Sequence, residues 1–125
     1  MTDPTATLAL LAERYPRCFS LRPGRRQPLK VGIHIDLLHD LNGAITEKKI
    51  NRFLRYYTNG VCYLNNSQPG SWRYDLAGNH VGEVTADEAA QAKQRLALTY
   101  QKIAARAASA VLVQLGVRGH GQESG

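Results

Sequence analysis

Apolar positions recur along this chain at helical spacing, with one short alternating stretch between them. Asp3-Pro4 offers an N-cap followed by proline in the first helical turn, and Leu8, Leu11, Ala12 and Tyr15 then share one face. A helix is predicted there, stopped by Pro16. The next periodic set is Ile33, Leu37, Leu38 and Leu41, a short amphipathic helix ended by Asn42-Gly43. A third follows from Lys48 to Thr58, with Thr46 as cap, Glu47 in the first turn, and Ile45 and Ile50 in hydrophobic-staple positions. Its core stripe is Ile50, Phe53, Leu54 and Tyr57. Its other face is Lys48, Arg52, Arg55 and Asn59, and Asn59-Gly60 breaks it.

Beyond the Pro69-Gly70 turn the period changes to two. Trp72, Tyr74 and Leu76 alternate with Arg73 and Asp75, predicting a strand with an apolar and a charged face. Ala77-Gly78-Asn79 turns the chain, and Val81 and Val84 supply a partner strand. Thr85-x-x-Glu88 has the form of a capping box that opens an alanine-rich helix from Ala86 to Leu115, roughly 45 Å long at 1.5 Å per residue. Leu96, Tyr100, Ile103, Ala107 and Val111 mark its predicted buried stripe and Gly116 its end. That length exceeds what a small globule needs, so the second half is expected to project or to pack on another molecule. The fold class is α+β, mainly helical, in one domain over residues 1–116, followed by a disordered tail over 117–125.

Charge sharpens this picture. The formal net charge is +6. Between Arg14 and Arg73 there are 11 Lys/Arg against three acids, a local net of +8, much of it in the Arg17–Gln27 segment, which reads as an exposed basic loop. Basic blocks of this kind suit a polyanionic partner. Chemistry of a catalytic kind does not emerge. His34 and His39 are five apart and point away from each other on a helix, and no Gly-x-Ser-x-Gly, P-loop or Gly-x-Gly-x-x-Gly is present. Asp36 is expected to face a basic residue or a backbone group. Cys18 and Cys62 lack any framework and read as reduced, buried small hydrophobes. No apolar run reaches the ~18 residues of a spanning helix, and Met1-Thr2-Asp3-Pro4 resembles no signal peptide. The expectation is a cytoplasmic, monomeric binding protein, not an enzyme, with no cofactor, metal, membrane or small-molecule substrate.

A cationic helix beside aromatics is the composition that phosphates and unstacked bases require. Lys48, Arg52 and Arg55, with Lys49 beside them, are placed on phosphates, and Tyr63 and the Trp72-Arg73-Tyr74 run set aromatics beside a further cation. Tyr57 and Trp72 are read as core residues, whereas Tyr63 falls where a short segment turns toward solvent and is open to either reading. Thr58 is expected to begin that turn, leaving the N–H groups of Asn59 and Gly60 for a phosphate. A DNA-binding module and a protein-interaction adaptor built on the long helix remain as rival classes. No helix-turn-helix pair supports the first.

Four ordered patterns carry a resemblance: Tyr15-Pro16-x-Cys18-Phe19; Pro28-Leu29-Lys30-Val31-Gly32-Ile33-x-x-Asp36-Leu37; Leu54-Arg55-x-Tyr57-Thr58 with Tyr63-Leu64; and Arg73-x-Asp75-Leu76-x-Gly78-Asn79-x-x-Gly82. Over about residues 5 to 100 the chain resembles the ProQ/FinO domain of bacterial RNA chaperones. The resemblance implies a helical domain with a small β-hairpin, acting in small-RNA regulation, whose concave face binds structured RNA: a terminator hairpin with its 3′ uridine tail. It implies RNA contacts at Lys30, Arg55, Tyr63 and Arg73, with Asp75 supporting Arg73. Gln27 stands where such domains often carry arginine, and Asn51 replaces a basic position on the central helix.

Overall fold

Proline at the first helical turn and an aspartate before it set the start of the chain's fold. In the computed structural model, which describes residues 3–114, Asp3 Oδ1 accepts from the Thr5 N–H at 3.0 Å and opens α1 (Pro4–Arg14). The element order continues with a single 3-10 turn (Pro23–Arg25), α2 (Ile33–Leu41), α3 (Glu47–Thr58), α4 (Val61–Asn65), β1 (Trp72–Tyr74), β2 (His80–Glu83) and α5 (Ala86–Gln114). The predicted caps form. Thr46 Oγ1 accepts from the Lys49 N–H, and Asn42 (φ 46°) and Gly43 (φ 88°) end α2 in the left-handed region. At α5 the capping box closes in both directions: Glu88 N–H to Thr85 Oγ1 at 3.1 Å and Thr85 N–H to Glu88 Oε1 at 3.0 Å.

The core lies where α1, α2 and α3 meet. Leu8, Leu11, Leu37, Ile50 and Phe53 are buried there, as their spacing requires. An aromatic chain runs through it: Phe19 meets Phe53 and Tyr57 edge-on at 5.2 and 5.5 Å, and Tyr57 meets Tyr63 at 5.9 Å. Tyr57 reaches the Ser20 N–H with its hydroxyl at 2.9 Å, so its one polar atom is satisfied.

The β-hairpin is antiparallel, pairing Trp72 with Glu83, Arg73 with Gly82 and Tyr74 with His80. Val81 is the extra residue of a bulge between the last two pairs. Backbone bonds from Lys30 N–H to Tyr74 O (2.9 Å) and from Tyr74 N–H to Pro28 O (3.0 Å) tie β1 to the segment before α2. Gly78 at the hairpin turn has φ +86°, and a Cβ there would lie 2.6 Å from the Arg17 Cβ, so two constraints require glycine.

Several expectations change. Residues 61–65 form α4 rather than a turn, because Gly60 takes an extended conformation and restarts the helix directly. The Arg17–Gln27 segment is not wholly exposed: Arg26 is buried, its guanidinium over the Tyr57 ring at 4.9 Å. Trp72 is exposed (48%), since the three-residue strand leaves no layer above it. Cys18 is buried, but Cys62 is half-buried. The stripe of α5 is covered only at its start. Ala89 is buried against α4 and Leu96 half-buried, whereas Tyr100, Ile103, Ala107 and Val111 are exposed, because the globule ends before the helix does. The exposed second half fits both outcomes its length allowed, projecting or packing on another molecule. The predicted stop at Gly116 and the tail over 117–125 lie outside the described residues.

Candidate nucleic-acid interface

Burial of one face of α3 dictates what the other presents. With Ile50, Phe53 and Tyr57 fully buried, Lys48, Asn51, Arg52 and Arg55 are necessarily turned to solvent, and all are exposed. Among the described residues no acid lies within ion-pairing distance of Lys48, Lys49, Arg52 or Arg55. Their charge is therefore free for an anion. Asn59 does not extend this face, since its amide donates back to Arg55 O at 2.8 Å and finishes the helix. Arg26 lies under its end, facing Tyr57 and the partly exposed Tyr56. Its Nε donates to Ser20 O, and its carbonyl accepts from Asn66 Nδ2 at 2.8 Å, so it serves as an internal brace.

Lys30 is held differently. Its Nζ donates to Asp36 Oδ2 at 2.7 Å across the first turn of α2. Asp36 thus faces a basic residue, as expected. Both side chains are partly exposed, so an incoming phosphate could share the ammonium with the carboxylate.

The predicted end-binding residues do converge. Thr58, Tyr63 and Arg73 line a cleft of about 230 Å3 between α3, α4, the hairpin and α5, together with Ser67, Glu88 and Arg95. The internal chemistry of the cleft differs from the expected one in three respects. Tyr63 is 7% exposed and packs edge-on against Tyr57, so its ring offers no free face for a base. Its hydroxyl accepts from the Leu29 N–H at 3.0 Å. Burial pushes the phenol above its usual range, against the opposing influence of that N–H and the Arg73 guanidinium, so it stays protonated and retains a hydrogen to donate.

Arg73 is also largely committed. Nη1 donates to Leu29 O at 2.7 Å, Nη2 pairs with Glu88 Oε1 at 3.2 Å, and Nε is buried without an acceptor. The supporting carboxylate is therefore Glu88, not Asp75. Asp75 instead accepts from the N–H groups of Ala77 (3.0 Å) and Asn79 (2.8 Å), holding the hairpin turn. Thr58 remains inside α3, its hydroxyl donating to Leu54 O at 2.8 Å, so it does not begin the next segment. Glu88, pulled below the usual carboxylate range by the Thr85 N–H and then by Arg73, joins the capping box to the cleft.

Sequence reading missed Arg26, Glu88 and Arg95. The capping motif did mark Glu88, but for the helix terminus only. Nothing marked Arg26 or Arg95, whose neighbours come from distant segments. A second, larger cleft of about 760 Å3 is lined by Arg14, Tyr15, Arg17, Asp36, His39 and Asp40, with the Tyr15 hydroxyl donating to Asp40. Among the described residues no group of three His, Cys, Asp or Glu could hold a metal ion, and no helix is long and apolar enough to cross a membrane.

Comparison with known proteins gives this geometry a context. A family model described as the ProQ/FINO family matches residues 1–109. The chain is 39% identical over 108 residues to the RNA chaperone ProQ of Aliivibrio salmonicida, which covers 85% of this chain and 51% of that protein. Against the RNA chaperone ProQ of Haemophilus influenzae the identity is 34% over 116 residues, covering 91% and 58%. The chain thus spans little more than half the length of these relatives. The fold matches the solution structure of a ProQ homolog from Legionella pneumophila with a TM-score of 0.70 at 30% identity, covering 79% of this chain and 84% of that one. It matches a FinO-like RNA chaperone from Neisseria meningitidis with a TM-score of 0.59 at 28% identity, covering 72% and 89%. On the family match, the two relatives and the shared helical fold with its hairpin, the chain belongs to the ProQ/FINO family.

Proposed function

We propose that this protein is an RNA-binding protein of the RNA-chaperone type, acting on structured RNAs in post-transcriptional regulation by small RNAs. The observation that carries this reading is the unpaired cationic face of α3, Lys48, Arg52 and Arg55, to which Lys30 adds a further partly exposed ammonium. Point charges and guanidinium forks on a helix suit the backbone of an RNA duplex, which is recognised by shape and phosphate rather than by base sequence. A terminator-type hairpin is the substrate we infer, with its 3′ tail directed to the cleft of Thr58, Tyr63 and Arg73. There the tail would meet the Tyr63 O–H and the accessible edge of Arg73 as hydrogen-bond donors, rather than a stacking surface. The reading is of a cytoplasmic binding protein, monomeric and without catalytic chemistry.

The test is the salt dependence of hairpin binding. Four to six neutralised phosphates give a log–log slope of roughly −3 to −5 by counterion release. Arg52→Ala should weaken all hairpins alike and flatten the slope by about one unit. A slope near zero would remove the electrostatic basis of the proposal.

A second reading has an observation of its own. Tyr100, Ile103 and Val111 on the projecting half of α5 are exposed, which suits a protein-interaction adaptor. Mass that rises with protein concentration in the absence of RNA would favour it.

A further inference from the structure

Trp72 is the only tryptophan in the chain. It lies at 48% exposure on a three-residue strand, where a large apolar ring gains little from the core. It is nevertheless ordered by a partner. The His80 ring lies parallel to the indole, with centroids 4.7 Å apart and planes inclined by 18°. His80 is in turn held by Tyr74, edge-on at 4.9 Å. Strand register explains the ladder. Trp72 and Tyr74 alternate onto one face of β1, and the bulge at Val81 brings His80 opposite Tyr74 on that face. Arg73, between them, turns the other way, toward Leu29 O and Glu88. The three rings therefore stand on the hairpin face opposite the Arg73 cleft and belong to neither the core nor that cleft.

His80 covers one face of the indole, so the exposure of Trp72 comes from the other face and the ring edges. We infer that this free face is a stacking platform for an unpaired nucleobase of RNA flanking the duplex, a site separate from the cleft of Tyr63 and Arg73. The inference rests on the RNA-binding reading. The chemistry around the ring selects the occupant. An aromatic face already backed by a second ring loses little freedom when a base is added as the next layer, and stacking of this kind is tolerant of base identity. The strand carrying Trp72 and Tyr74 is hydrogen-bonded through Tyr74 to the backbone of Pro28 and Lys30, which fixes the platform to the body of the domain. Glu83 stands across the hairpin from Trp72 in register, so the surroundings of the ring favour a base over a phosphate.

The sole tryptophan supplies the readout. Indole fluorescence of the full chain is followed while it is titrated with three RNA hairpins: one with unpaired adenosine extensions at both ends, one with abasic extensions of equal length, and one blunt. Binding of each is measured in parallel by mobility shift. Stacking predicts quenching and a blue or red shift with the adenosine extensions, and little change with abasic or blunt hairpins bound to the same degree. Trp72→Ala should remove the advantage of adenosine over abasic extensions, an effect of about 5- to 150-fold in affinity, while Trp72→Phe keeps most of it. His80→Ala, which removes the backing ring, should reduce the advantage by less than Trp72→Ala does. Equal affinity for adenosine and abasic extensions with unchanged fluorescence on binding would overturn the platform and leave the RNA-binding reading standing. Failure of all three hairpins to bind would overturn both.

Discussion

Truncating Arg73 separates a residue that holds the domain together from one that only touches RNA. Its Nη1–Leu29 O bond at 2.7 Å joins β1 to the segment before α2, and its Nη2–Glu88 pair joins β1 to the start of α5. The Arg73 side chain is 16% exposed and that of Glu88 39%. A largely buried bond from a charged donor contributes about 1.5–3 kcal/mol. The half-exposed ion pair adds about 1 kcal/mol at most once screening by solvent is allowed for. The buried Nε without an acceptor takes back part of that. Arg73→Ala should therefore cost about 2–3 kcal/mol, which at this chain length lowers Tm by roughly 8–12 °C. Because most of the loss belongs to Leu29 O, Glu88→Ala should cost less, and the Arg73–Glu88 coupling in a double-mutant cycle should stay near or below about 1 kcal/mol. Thermal and urea melts of the wild type, both single variants and the double variant supply the numbers. RNA affinity is then compared well below the lowest Tm. A Tm within a degree of wild type for Arg73→Ala would refute the bracing role. An affinity loss persisting in that fully folded variant would assign Arg73 to the RNA directly.

The other predictions address the core, the thiols and acid. Phe53→Ala removes a fully buried ring touching Phe19 and Tyr57 and should cost about 3–5 kcal/mol in denaturant melts; a loss under about 1 kcal/mol would contradict the packing. Cys62, half-buried, should react with a thiol reagent in the native protein, while Cys18 reacts only on unfolding; equal rates would show that the Cys18 site opens. Burial, aided by Asp75, pushes the Cys18 thiol up to about 12 from 9.0, so the unfolded chain loses its proton first as pH rises. Stability should be complete below pH 9.0 and fall above it, and Cys18→Ala should flatten that alkaline slope. Glu88 shows the opposite sign. Its carboxyl is lowered from 4.5 by the Thr85 N–H and Arg73, so its contribution is present above pH 4.5 and lost as pH falls through the folded value. Glu88→Gln should remove that part of the acid dependence, and an unchanged acid limb would refute the linkage.

Much of the fold was legible because its signals are local. Asp3-Pro4, Thr46, Asn42-Gly43 and the Thr85/Glu88 box each act within four residues, and each forms as written. The α3 stripe was legible because a core-facing helix must repeat its apolar positions every three or four residues. What failed depended on whether something lies above a given surface. The Ala-rich stripe of α5 has the same period where it meets α4 and where it meets water, so periodicity could not tell Ala89 from Tyr100. Trp72 failed for the same reason: alternation identifies the face of a strand but not whether a second layer covers it.

The site was legible in its charges but not in its commitments. Lys48, Arg52 and Arg55 could be placed from one helix, because the apolar stripe that turns them to solvent lies on that helix too. Arg73 and Tyr63 could not, because their partners are Leu29, 44 and 34 residues away, and, for Arg73, Glu88 as well. Both side chains converge on Leu29, one on its carbonyl and one on its N–H, so the two ends of a single peptide residue fix their positions. That arrangement gives their presence in the cleft a physical meaning beyond packing. A guanidinium and a phenol pinned through the same residue keep a constant separation, so under the proposed function their donors would need no reordering when an RNA end arrives. Tyr63→Phe isolates this effect, since it removes the Leu29 N–H acceptor and the donor while retaining the ring. A drop in Tm of a few degrees with a larger loss for tailed than for blunt hairpins would fit a preorganised end site. Equal losses for both would leave Tyr63 a core residue alone.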